Sequence, residues 1–177
     1  MLYAVVAGIL AGLALGGRLG GLAGFPLRWW PLAIVGLGVQ LVLFAGPVAE
    51  RIAGFGAPLY VASTGLVLLV VLRNVRLPGF RLIAVGGGAN LAAVVANGGL
   101  MPTTADALAT AGLSAATALP GYSNSAIVAN PALGPLTDVL ALPAWLPLAN
   151  VFSAGDVLVG VGLAIAIAWG MRRGASG

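Results

Sequence analysis

Five apolar runs, separated by connectors that hold most of the arginine, proline and polar residues, set the pattern of this chain. The first, residues 2–16, carries Gly8, Gly12 and Gly16 at four-residue spacing, a small-xxx-small face that lets helices approach closely. No basic residue precedes it, so it reads as a short retained span and not as a signal peptide. A glycine-rich connector with Arg18 and Arg28 leads to Trp29 and Trp30 at the level of an aromatic belt, with Pro31 at a helix start. The second run, 31–48, ends before Glu50 and Arg51; the third, 57–72, has Tyr60 as an interface anchor and stops at Arg73, Asn74 and Arg76. Pro78 and Gly79 turn the chain into the fourth run, 80–100, where Gly86, Gly87 and Gly88 predict close packing against a neighbouring helix.

Residues 101–149 break the pattern, holding six of the eleven prolines and two of the four acids. Thr103-x-x-Asp106 has the form of a capping box and predicts a small helix ending near Pro120, followed by loop with short turns. The fifth apolar run, 153–171, is about 28 Å long as a helix, which suits a bilayer core. The expected fold is therefore all-α: a polytopic membrane helix bundle of about five transmembrane helices in one domain, 1–177, with a long outer loop, 101–149, before the last helix.

Composition and charge sharpen this reading. The chain is 60% hydrophobic and 7% charged, with mean hydropathy +1.10, more apolar surface than a water-soluble globule can hide. Seven of the eight arginines (Arg18, Arg28, Arg73, Arg76, Arg81, Arg172 and Arg173) fall in the first and third connectors or after the last run. The positive-inside rule then sets the N-terminus outside and the C-terminus inside, with Arg51 as the exception and all four acids toward the outer side. These arginines form no stripe or arm for nucleic acid. Cysteine and histidine are absent, so zinc or copper is not expected, and four scattered acids make a poor calcium cage. No cofactor is expected; the expected partner is membrane lipid, in a plasma membrane crossed several times.

Asp138 in the outer loop and Asp156 at the lip of the last run are the candidate chemistry. Two carboxylates that share a proton are what aspartic proteolysis requires, one as base on water and the other as acid toward the carbonyl. Asn90 and Asn97 lie two turns apart on one face of the fourth run, and Ser153 precedes Asp156, so these three are candidate positioning groups. A structural reading stands beside the catalytic one: Ser153-x-x-Asp156 is also a capping box for the last helix.

The segment Val151 to Gly162, VFSAGDVLVGVG, resembles the last motif of lipoprotein signal peptidases, and Leu136-Thr137-Asp138-Val139 resembles that family's first catalytic motif at a similar separation. Gly86 to Leu91, GGGANL, is loosely similar to a third stretch of the same family. The chain departs from that pattern at Ser153 and Gly155, lacks an Asp-Arg pair after Asn90, and has an extra first span. As a whole it is also similar to an uncharacterised family of small five-helix bacterial membrane proteins. The resemblance implies an intramembrane aspartic peptidase with Asp138 and Asp156 as its dyad, acting on a membrane-anchored peptide or lipopeptide at the outer leaflet. The alternatives are a non-catalytic subunit or assembly factor of a larger membrane complex with a protein partner, or a small transporter or lipid-binding protein.

Overall fold

A computed structural model describes residues 1–45, 51, 53–113 and 124–173, and it is mostly helical. Five of its helices follow the five apolar runs: α1 (Leu2–Ala14), α2 (Trp30–Leu43), α3 (Gly56–Arg73), α4 (Phe80–Ala96) and, after the outer segment, α6 (Ala154–Arg173). The short α5 (Ala105–Thr110) belongs to the outer segment. Glu50, the expected end of the second run at 46–48 and the expected helix end at Pro120 lie outside the described residues.

Two helices, α3 and α6, are long and apolar enough to cross a membrane. Only 22% of the apolar window in α3 and 33% of that in α6 is buried inside the protein, the rest being half-buried or exposed, whereas the core helix of a soluble domain is mostly buried. The remaining three, α1, α2 and α4, are apolar but shorter, at about 20 to 26 Å. The first run stops as helix at Ala14 and not at Gly16, because Gly16 takes φ +78° and turns the chain.

The main helix contacts run in a row, α2 against α3, α3 against α4, α4 against α6, and α6 against α1. Glycine makes the seams close. On the antiparallel α4–α6 seam a Cβ at Gly86 would overlap the carbonyl oxygen of Gly155, and one at Gly79, just before α4, would overlap that of Gly162. The two pairs are spaced seven residues apart on each helix, two turns, so both fall on one seam. Gly8 meets the backbone of Ala164 and Gly12 the side chain of Met171 on the α1–α6 side, while Gly36 seats α2 against Ser63 and Val67 of α3. Of the three consecutive glycines only Gly86 serves the seam; Gly87 faces Leu68 at ordinary distance and Gly88 meets nothing within 4 Å.

The outer segment has the short helix expected from its sequence, but strands stand where loop alone was expected. It forms two small sheets: β1 (Met101–Thr103) parallel to β2 (Ser125–Ile127), and β3 (Leu140–Ala141) antiparallel to β4 (Val151–Phe152). Thr103 also pairs in parallel with Asp138. Because β1 takes up Thr103, the cap of α5 passes to Thr104, whose hydroxyl accepts from the Ala107 N–H at 3.2 Å. That helix ends at Thr110, with Gly112 at φ +67° after it. Buried Met101 carries the cap onto the helices, packing with Ala93 and Val94 of α4 and with Tyr60, Val61 and Leu136.

Candidate functional site

Beneath this cap the first turn of α6 is closed by a reciprocal pair. The Ser153 hydroxyl accepts from the Asp156 N–H at 3.0 Å, and Asp156 Oδ2 accepts from the Ser153 N–H at 3.0 Å. This is the capping-box geometry that the spacing predicts. It extends to α4, where Asn90 Nδ2 donates to Asp156 Oδ1 at 2.9 Å and the Ser153 hydroxyl donates to Asn90 Oδ1 at 2.8 Å. A serine hydroxyl has one proton, so the shorter of its two contacts, that to Asn90 over the one to Asp156 Oδ2 at 3.2 Å, takes it. Ser153, Asn90 and Asp156 thus form a closed ring in which both carboxylate oxygens have donors.

Gly155 makes the ring possible. A Cβ there would overlap Asn90 Oδ1, so the asparagine amide lies on bare helix backbone. The Gly86–Gly155 contact, one turn away along α4, holds the two helices at the spacing this needs.

Asp138 is placed differently. Its N–H donates to the Pro102 carbonyl at 2.9 Å and its own carbonyl accepts from the Thr103 hydroxyl at 3.0 Å, so β1 fixes its backbone. The preceding Thr137 is wholly buried and donates to the Gly134 carbonyl at 2.7 Å. Oδ1 of Asp138 is buried with no hydrogen-bond partner among the described residues. Burial, and then the charge of Asp156, push its carboxyl group up to about 7 from the ordinary 3.8. The two acids therefore share one electrostatic environment, with contrasting hydrogen bonding.

Asn97 goes elsewhere. At the end of α4 it donates to the Ala93 carbonyl at 2.8 Å and exchanges two hydrogen bonds with the backbone of Ala132, both at 2.9 Å. It fastens the 131–133 loop to the helix end, and among its hydrogen bonds none goes to either acid.

Tyr60, read from sequence as an interface anchor, belongs to this neighbourhood. It packs edge-on with Phe44 at 5.7 Å, lies against the side chains of Asn124 and Thr64, and is within the electrostatic reach of both Asp138 and Asp156. Gln40 of α2 joins the same line by donating to Thr64 at 3.1 Å. The i, i+4 spacing of Tyr60 and Thr64 was the available sequence signal, since it puts both on one face of α3. On the other side of Asp156 a cleft of about 440 Å³ opens between the start of α1, the segment 142–152 and the first turns of α6. Its walls are apolar, among them Leu2, Leu148, Phe152 and Val157, with Asp156 as the acid in its lining. Tyr3 spans its rim, donating to the Pro147 carbonyl at 2.6 Å. No group of three metal-ligating side chains exists among the described residues.

Comparison with known proteins gives no match to a curated protein and none to a solved structure, and thus no link to lipoprotein signal peptidases. A family model does match, over residues 24–168, which take in α2 to α4, the cap, both acids and most of α6 but leave α1 outside. The chain belongs to the DUF5317 family, a family of unknown function.

Proposed function

We propose that the protein crosses the membrane five times, with α1, α2, α3, α4 and α6 as spans, N-terminus outside and C-terminus inside, and that its outer acid pair hydrolyses a membrane-anchored peptide or lipopeptide in the manner of an aspartic peptidase. The single observation that carries the reading is the asymmetry of the acids. Asp138 holds a buried, unpartnered carboxyl oxygen at a site that favours its proton up to about pH 7, whereas Asp156 receives two donors, one on each oxygen, an arrangement that suits a carboxylate, which only accepts. Two carboxyl groups in such different surroundings can divide into acid and base.

In this mechanism Asp156 takes a proton from water as the water attacks the scissile carbonyl, and Asp138 gives its proton to the carbonyl oxygen. Collapse of the tetrahedral intermediate returns a proton to the leaving amine. The apolar cleft beside Asp156 offers a membrane-anchored substrate a way in from the lipid side. Asn90 and Ser153 orient Asp156.

A second reading has its own support. Ser153, Asn90 and Asp156 bond to one another across the α4–α6 seam, as a structural joint would, and this favours a non-catalytic subunit or assembly factor. One experiment separates the two: purified wild type, Asp138→Asn and Asp156→Asn are incubated with a lipid-modified model preprotein and processing is read as a gel shift. The peptidase reading expects cleavage by wild type and loss of at least a hundredfold in rate in each folded variant. Absence of cleavage by wild type, or cleavage that survives both changes, sinks it and leaves the joint.

A further inference from the structure

The end of the molecule opposite the acids carries its positive charge in a built arrangement. Asn74, 4% exposed at the end of α3, turns its amide onto the backbone of Arg28. The Arg28 N–H donates to Asn74 Oδ1 at 2.9 Å, and Asn74 Nδ2 donates to the Arg28 carbonyl and to the Val70 carbonyl, both at 2.8 Å. This two-way pairing copies one rung of a β-ladder and clasps the first connector to α3. Trp29 follows with φ +62°, a left-handed conformation that a bulky residue holds only when its surroundings enforce it. The Arg73 guanidinium then lies over the Trp29 ring, 5.6 Å from its centre.

The same theme recurs nearby, where Arg173 lies 4.9 Å from the centre of the Trp169 ring, itself edge-on to Phe25 at 5.7 Å. Arg18, Arg28, Arg73, Arg76, Arg81, Arg172 and Arg173 are all exposed at this end. Among the described residues the acids Asp106, Asp138 and Asp156 are all at the other.

A guanidinium stacked on an indole, as Arg73 is on Trp29, keeps its N–H edge free to grip the oxygens of a phosphate, and exposed Arg28 beside the ring adds a second positive charge. Beside the corner, exposed Leu32, Val35, Leu69 and Leu72 on α2 and α3 offer apolar surface for hydrocarbon. We propose that the corner formed by Arg28, Trp29 and Arg73, held by the Asn74 clasp, binds the phosphate headgroup of an anionic phospholipid. The lipid source, over free phosphate, follows from that apolar flank and from the exposed Trp29 and Trp30 at headgroup level. The inference rests on the membrane reading but not on any activity of the acid pair.

The test uses the full chain in neutral detergent micelles and follows tryptophan fluorescence quenched by dibrominated phosphatidylglycerol or dibrominated phosphatidylcholine. Wild type is expected to be quenched at a lower mole fraction of the anionic lipid, and Arg28→Gln with Arg73→Gln to lower that preference about tenfold. Arg18→Gln with Arg81→Gln, which removes equal charge outside the corner, is expected to keep most of it. Arg73→Gln alone, with a smaller loss, serves if the double variant does not fold. Equal quenching of wild type by both lipids overturns the proposal, as do equal losses in the two double variants. Displacement of the lipid by an equal concentration of inorganic phosphate overturns it too, by pointing to a free-anion site.

Discussion

Asp138 is where proton and fold are most tightly linked. Its carboxyl group is held at about 7 in the folded protein and at its ordinary 3.8 in the unfolded chain, so between those values the folded state binds more proton. The stability this group contributes is complete below about pH 4 and is lost as pH rises through about 7. Thermal unfolding in detergent should therefore show the wild type losing stability relative to Asp138→Asn across pH 4 to 7, with the variant the more stable at pH 8. A difference that is flat, or that runs the other way, would show the carboxyl group to be solvated. Asn90 makes the opposite case, since it supplies the donor to Asp156 Oδ1. Asn90→Ala takes that donor from Asp156 Oδ1, while the Ser153 hydroxyl can turn to Oδ2 at 3.2 Å, and is expected to cost about 1–3 kcal/mol in chemical unfolding. An unchanged midpoint would mean that water takes over the lost bond.

The seam between α4 and α6 decides how the helices hold the site. Gly155→Ala puts a methyl group on Asn90 Oδ1 and 2.8 Å from the Gly86 carbonyl oxygen, so either the amide or the helix must move. The expected loss is about 1–3 kcal/mol, whereas Gly88→Ala, with open space around its Cβ, should be neutral or gain up to about 1 kcal/mol. Equal effects of the two on the unfolding midpoint would remove the seam as an explanation. The helices themselves were legible in the sequence because each is a long apolar run, and the run of three glycines pointed to a close contact. Which glycine makes it depends on how the helix is rotated, and that is set by α6, far along the chain. The small sheets were not legible. Strands of two or three residues are too short for an alternating pattern to register, and β1 finds its partners only through folding of the segment that follows. For the same reason Thr103 and Thr104 exchanged roles: pairing, not local preference, decided which one caps α5. Asp156, Ser153 and Asn90 were legible as a cap and a polar helix face, while Tyr60 was not, because an aromatic near a helix end looks the same whether it meets lipid or a buried acid.

At the scale of the whole molecule charge is sorted from end to end, with seven arginines opposite every described acid, and this makes orientation testable. The chain has no cysteine, so single cysteines report cleanly. Ala132→Cys, exposed beside the cap, should react with a membrane-impermeant maleimide on intact cells, and Ala23→Cys, exposed among the arginines, only after permeabilisation. The reverse pattern would invert the topology, and labelling of both on intact cells would refute the spans. The row of helices has a further consequence for how the protein is made. Gly8 of α1 rests on Ala164, and Gly86 of α4 on Gly155, so α1 and α4 share a partner that is synthesised after both. Until α6 arrives, α1 has no seam to close and Asn90 no ring to join. If the helices are the spans proposed above, insertion into the bilayer and assembly of the site are separate events in time, and Asp138 and Asp156 come together only at the last one.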